Sequence, residues 1–334
     1  KFMGSKISNI EYVLGQKKID NDSFKDRFPD YDFARFEKKV GIKNRYICSE
    51  NESTLTLAIS AVNKLLEKTP ALRADIDFVI LCTQSPEFPL PTTACLVQER
   101  CNLSTNIGAL DINLGCSGYT YGISLAKGLV ESGQSKKVLL ITAETYSKYI
   151  NKDDLINQLI FGDAASATII EYSKENKIGK SVFGTDGSGF DKLIVRNNFF
   201  SKLQSPEIKT YSGKNRYTDN NLYMDGSCVF NFTLERIPLL LNEVLQKNSL
   251  MDGDVDKYVL HQANKFLLKS VIKKSGLNSE KLFFELENNG NTVSSSIPIA
   301  LHSYLANRKR GKLENILLAG FGVGLSWSGI TIKI

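Results

Sequence analysis

A thiol placed where it can do chemistry stands at Cys116, inside residues 113–122, NLGCSGYTYG. It lies between Gly115 and Gly118, where a strand-like stretch, GALDINLG, gives way to a helical pattern, YTYGISLAKGLVESG. A helix start presents unpaired N–H groups and the positive end of the dipole. Both favour a thiolate, which is the nucleophilic form. The glycines allow close approach of backbone or substrate. Taken alone, Cys116 also suits a small buried filler, a metal ligand or half of a disulfide. His261 closes an apolar run in YVLHQANK, and the carboxyl ends of strands face the crevice where α/β proteins place their sites. Gln262 and Asn264 beside it add hydrogen-bonding groups. Asn291 sits in NNGNTVSSS between a glycine and a helix, a place that also suits a helix cap or a turn.

The elements that must position these residues alternate along the chain. DFVILCTQ (77–84), KKVLLITAE (136–144) and AASATIIEYS (164–173) read as buried strands, and GALDINLG (108–115) reads as a strand. TACLVQERCNL (93–103) and residues 119–133 read as helices. Continuous apolar strands between helices predict sheets covered on both faces, an α/β layered architecture. The second half repeats the order. Residues 256–265 are strand and then helix start, 290–311 turn and then helix, and 314–324 strand and then a glycine-rich turn. A glycine, a polar residue, a helix, a basic linker and a buried strand recur in both halves, with Cys116 and Asn291 in corresponding places. The two helix starts are therefore expected to face each other across a pseudo-twofold axis, near His261. The halves are taken as residues 1–174 and 175–334, and residues 174–222, rich in Lys, Asn, Ser and Gly, read as loops joining them.

Composition narrows the function. The chain has 334 residues, 42% hydrophobic and 23% charged, with a net charge of +6. That is globular composition with length for a large core. The basic run NRKRGK (307–312) reads as a solvated helix end, so no nucleic-acid partner is expected. Six cysteines include no CxxC pair and there are two histidines, so no metal site is expected. A chain this long needs no disulfide framework, and no apolar run reaches membrane-spanning length. A cytoplasmic protein without a membrane partner is expected.

Cys, His and Asn in this chain order also occur in papain-like proteases, but the CGSCW context is missing. The motifs INLGCSGYTYGI, FGDAASA, MDGSCVFNF, VLHQANK, NNGNTVSSSIP and GFGVGLSWSG, in that order, resemble β-ketoacyl-ACP synthase III of the thiolase superfamily. The resemblance runs from ISNIEYVLG to WSGITIKI. It implies a thiolase fold, two pseudo-repeated halves in five layers, αβαβα. It implies a decarboxylating Claisen condensation of an acyl thioester with malonyl-ACP through an acyl-Cys116 intermediate, giving a 3-oxoacyl-ACP. His261 and Asn291 would donate to the enolate oxygen. The backbone N–H groups of Cys116 and Val323 would form a second oxyanion hole, with valine where glycine is common. No cofactor is implied, because the phosphopantetheine arm of CoA or ACP enters as substrate.

The resemblance also implies a homodimer, with residues 92–103 near the twofold. Leu90 stands where a phenylalanine commonly closes the partner's acyl pocket, and a smaller residue there lengthens the pocket. Asn264, Lys265 and Phe266 fall in the region that receives the substrate arm. Lys269, Lys273 and Lys274 offer a basic face to an acidic carrier protein. The tryptophan and arginine that sandwich the CoA adenine in the housekeeping enzyme are replaced by Arg35 and Leu155. The expected reading is therefore a specialised relative, whose first donor is acyl-CoA or acyl-ACP. The alternative is a non-decarboxylating acyltransferase of the same fold, moving the acyl group from Cys116 to a small hydroxyl or amine. An idle partner subunit is disfavoured because all three residues are retained.

Overall fold

The computed structural model describes residues 4–196, 218–308, 311 and 313–334. A five-stranded sheet runs in the order Gly4–Leu14, Ala164–Ser173, Lys137–Glu144, Phe78–Cys82, Gly108–Ile112. A four-stranded sheet runs Val182–Thr185, Ser326–Lys333, Asn315–Gly322, Lys257–Leu260. From their first strands both sheets pair antiparallel, antiparallel and then parallel. The repeated order of motifs in the sequence is thus a repeated order of pairings.

Helices Gly118–Glu131 and Ser296–Asn307 lie between the sheets and touch both. Helices Thr54–Lys68 and Thr93–Arg100 cover the outer face of the first sheet, and Gly226–Lys247 and Lys265–Ser275 cover that of the second. The result is five layers, αβαβα. The central strands are buried on both faces, which is why Val138–Ile141 and Ile316–Phe321 read as unbroken apolar runs.

The central helices also bind the halves together through buried hydroxyls. Ser117 meets Ser326 at 2.6 Å, and Thr142 meets Ser295 at 2.8 Å. Buried polar groups are costly unless paired, so these contacts fix how the two helix starts sit on the opposite sheet.

The loop reading of residues 174–222 is corrected in part. Val182–Thr185 is a strand of the second sheet, and Leu193–Ile194 pairs with Tyr223–Met224. The partner of Val182–Thr185 lies far along the chain, and Gly184 is packed under the indole of Trp327. Residues 197–217 of that stretch lie outside the described residues, as do 309, 310 and 312 of the basic run. Among the described residues no helix is long and apolar enough to cross a membrane, and no group of three or more metal-ligating side chains occurs.

Candidate active site

Cys116 lies one residue before the cap of helix Gly118–Glu131, at the end of the turn that follows strand Gly108–Ile112. Tight glycine contacts hold it there. A Cβ at Gly118 would lie 2.1 Å from Cys82 Sγ, and one at Gly320 would lie 2.5 Å from the carbonyl oxygen of Cys116. Glycine at these positions is a packing requirement, because a methyl group would push the turn that carries Cys116 off the second sheet. The hairpin joining Asn315–Gly322 to Ser326–Lys333 brings Val323 over the thiol.

The N–H groups of Cys116 and Val323 both reach Sγ and favour its thiolate. They do not prevail. Burial first, and then the charge of Glu144, push the thiol up to about 12. The expectation that the helix start lowers this pKa is therefore overturned. The site lies dry between two sheets, and desolvation of the anion outweighs two hydrogen bonds.

His261 follows strand Lys257–Leu260 and is 2% exposed. Its backbone N–H donates to Ala319 at 2.8 Å, and its ring meets Phe321 edge-on at 5.6 Å. Nδ1 lies 2.7 Å from Ser296 Oγ, which also accepts from the Gln262 N–H at 3.3 Å. Burial lowers the imidazole pKa to about 3, so the ring is neutral at physiological pH.

Asn291 is held by backbone pairing with the segment before Asp163. Its N–H donates to Ile160 at 2.8 Å, and its carbonyl accepts from Gly162 at 2.9 Å. Its side-chain Oδ1 accepts from the Val293 N–H at 2.9 Å, which leaves Nδ2 as a donor without a partner among the described residues. Val293 reaches that position only at φ 55°, a region β-branched residues rarely adopt. The turn thus spends backbone strain on the orientation of one amide.

Cys116, His261 and Asn291 converge on one cavity of about 200 Å³ whose other walls are mostly apolar, among them Ile160, Phe161, Val229 and Phe321. It shares Ile156, Ile160, Gly226, Phe230 and Asn264 with an outer cavity of about 810 Å³ that Arg35, Lys39 and Phe266 help line. The two form one passage from surface to thiol. Phe266 stacks on Phe230 with centroids 5.7 Å apart, and Lys39 sits over its ring at 4.8 Å. Asn264 caps helix Lys265–Ser275 by accepting from Leu267 at 2.8 Å, so part of its role is structural. Lys265, Lys269, Lys273 and Lys274 are exposed outside the passage, and Leu155 is buried. Leu90 is 80% exposed and lines neither cavity of its own chain.

Glu144 is missing from the sequence reading. It ends strand Lys137–Glu144 fully buried, and it accepts from Ser294 Oγ at 3.0 Å, Ser85 Oγ at 3.2 Å and the Gln84 N–H at 3.1 Å. Burial raises its pKa to about 8 against those hydrogen bonds. The acid is thus mostly neutral near pH 7. An acid at the end of an otherwise apolar strand was the available signal. The linkage has a definite sign: the folded state holds a proton that the unfolded carboxyl, near 4.5, has lost. Stability therefore falls as pH rises towards 8. Below pH 6.5 His261 acts in the opposite sense, because its depressed pKa costs stability as the unfolded histidine protonates. Between pH 6.5 and 8 the wild type should lose about 2 kcal/mol more than Glu144→Gln, measured by denaturant melts at the two pH values.

A duplicated two-sheet architecture in five layers, αβαβα, is the thiolase fold. Residues 110–187 match the family profile "3-Oxoacyl-[acyl-carrier-protein (ACP)] synthase III", and residues 245–334 match that family's C-terminal profile. A β-ketoacyl-[acyl-carrier-protein] synthase III of Clostridium perfringens is 36% identical over 297 residues, 89% of each chain. One of Clostridioides difficile is 35% identical over 327 residues, 98% of this chain and 97% of that one. The crystal structure of a 3-oxoacyl-(acyl-carrier-protein) synthase III superposes with a TM-score of 0.93 at 40% identity, covering 99% of this chain and 100% of the other. That of a 3-oxoacyl-(acyl-carrier-protein) synthase of Burkholderia xenovorans gives 0.91 at 32% identity, covering 100% and 95%. The chain belongs to the 3-oxoacyl-acyl-carrier-protein synthase III family.

Proposed function

We propose that the chain condenses an acyl thioester with malonyl-ACP, with loss of carbon dioxide, to give a 3-oxoacyl-ACP. The observation that carries this reading is the convergence of Cys116, His261 and Asn291 on one buried, mostly apolar cavity. In the first half-reaction Cys116 Sγ attacks the thioester carbonyl. The C–S bond to the carrier breaks, and the thiol proton leaves with the carrier's sulfur. The N–H groups of Cys116 and Val323 receive the tetrahedral oxyanion; losing one such donor typically costs about 3 kcal/mol.

In the second half-reaction malonyl-ACP loses carbon dioxide and becomes an enolate. In this reading Ser296 Oγ, which accepts from Gln262, donates its own proton to His261 Nδ1, and the imidazole carries its proton on Nε2. Nε2–H and Asn291 Nδ2 then donate to the enolate oxygen without repelling malonate. The enolate carbon bonds to the acyl carbonyl carbon, the acyl–Sγ bond breaks, and the Cys116 thiolate takes up a proton from solvent. Neutral Glu144 keeps negative charge away from both steps. No cofactor or metal is called for in either, and the phosphopantetheine arm enters as substrate through the passage past Asn264 and Phe266. The lysines at 265, 269, 273 and 274 are the basic face proposed for the carrier. The non-decarboxylating acyltransferase reading has less support, because transfer to a hydroxyl or amine leaves the two convergent donors without an enolate to hold.

A homodimer is part of the proposal. Strand Gly108–Ile112 ends the first sheet with Leu110 exposed, and Phe88 and Leu90 are exposed nearby in sequence. A second copy paired there would cover this edge and bring Leu90 to the neighbouring acyl pocket. The test is intact mass spectrometry of the protein with malonyl-ACP and a panel of acyl-CoA and acyl-ACP donors. The expected result is an acyl mass on the protein and a 3-oxoacyl mass on the carrier. Acylated protein with untouched malonyl-ACP would overturn the condensation in favour of acyl transfer.

A further inference from the structure

We infer that a second cavity, separate from the substrate passage, binds a phosphorylated small molecule. This cavity of about 590 Å³ is lined by Lys17, Lys18, Arg27, Arg45 and Lys152, and among the described residues no carboxylate lines it. Strand Lys17–Asp20 pairs antiparallel with Asn44–Ile47, setting Ile19 opposite Arg45 and Lys17 opposite Ile47. Side chains alternate along strands, so these four share one face, and that face lines the cavity.

Arg45 is the central observation. It is fully buried, yet among the described residues only Nη2 has a partner, the side-chain oxygen of Asn21. Nε and Nη1 are buried without an acceptor, leaving three N–H groups unsatisfied in a charged side chain. A buried guanidinium in that state is costly; its orphan nitrogens are sealed from solvent, so an anion in the cavity would offset the cost by attraction between charges. Burial pulls its pKa down to about 10, against the more distant charges of Asp20 and Glu37. Around it, Lys17, Lys18 and Lys152 form no ion pair among the described residues, and the carboxylate nearest Arg27 is Asp153 at 3.9 Å. Lys18 falls on the other face of its strand, and the four remaining cations, Lys17, Arg27, Arg45 and Lys152, suit a group carrying close to two negative charges, as a phosphate monoester does near neutral pH. The remaining walls include Phe24, Ile47 and Phe161, which would take an apolar or ring-bearing portion of the ligand. Phe161 also lines the acyl cavity, so an occupant and an acyl chain would press on the same side chain.

The test is calorimetric titration of the full chain carrying Cys116→Ala, which keeps acyl chemistry out of the signal. The probes are inorganic phosphate and phenyl phosphate at fixed ionic strength, with chloride as the control. Saturable binding of both is expected, tighter for phenyl phosphate. Lys17→Ala/Lys18→Ala/Lys152→Ala, all surface changes, should weaken both by about tenfold. Arg35→Ala/Lys39→Ala at the mouth of the substrate passage should leave both unchanged. Arg45→Lys tests the buried group where it folds. Competition by coenzyme A assigns the phosphate to the thioester carrier, and no competition assigns it to a separate metabolite; either outcome keeps the site. A response equal to that of chloride, or binding lost with the mouth pair and kept in the triple lysine variant, overturns it.

Discussion

Cys116→Ala should gain no acyl mass from any thioester donor, and condensation should fall by at least about 10⁴-fold, as for loss of other catalytic nucleophiles. The fold should survive. The thiol is buried and un-ionised, and Ala fills most of its space, so stability should change by about 1 kcal/mol. The informative part is what remains. The Nε2–H of His261 and the Nδ2 of Asn291 do not depend on the thiol for position: Ser296 sets one and Val293 the other. The variant should therefore still decarboxylate malonyl-ACP, turning malonyl into acetyl carrier without forming a carbon–carbon bond. Mass spectrometry of the carrier reads this directly. A carrier left as malonyl would mean that decarboxylation needs the acyl-cysteine in place, and that the two donors alone do not make the enolate site.

The three residues proposed to react, which line one cavity, were legible because each sits at or near a junction of element types. Cys116 lies one residue before the cap of one central helix, Asn291 lies four residues before the cap of the other, at the turn that leads into it, and His261 follows a strand. Their convergence followed from the duplication, which motif order shows even where residues differ. The state of the thiol was not legible. A helix start predicts a lowered pKa, but burial under Val323 and beside Glu144 reverses it, and burial comes from the other half of the chain. Ser296 and Glu144 were missed for the same reason. Each looks ordinary in its own segment and acquires a role only when one half supplies a partner to the other. Strand Val182–Thr185 was read as loop because only four residues pair, with a strand far along the chain. Arg45 gave no signal at all, since its lack of partners is a property of the packed cavity.

Asn291→Asp should separate the half-reactions in the opposite direction. Aspartate has nearly the same shape, and one oxygen can still accept from the Val293 N–H, so the turn has no reason to move. What changes is the other atom, from a donor to an acceptor, and the charge. Ionised, the introduced carboxylate would repel the malonyl carboxylate and oppose the enolate oxygen at close range. Protonated, it could donate, but burial would then have to hold a carboxylic acid neutral where the enolate forms. Loss of one aligned donor costs about 3 kcal/mol, so condensation should fall at least about 10²-fold, and further when the carboxylate is ionised. Acylation of Cys116 uses the N–H groups of Cys116 and Val323 and should stay within about threefold of wild type. The residual condensation should rise as pH falls, because protonation restores a donor. A variant that loses acylation and condensation alike would place Asn291 in both steps, and the division of the cavity into two oxyanion sites would have to be abandoned.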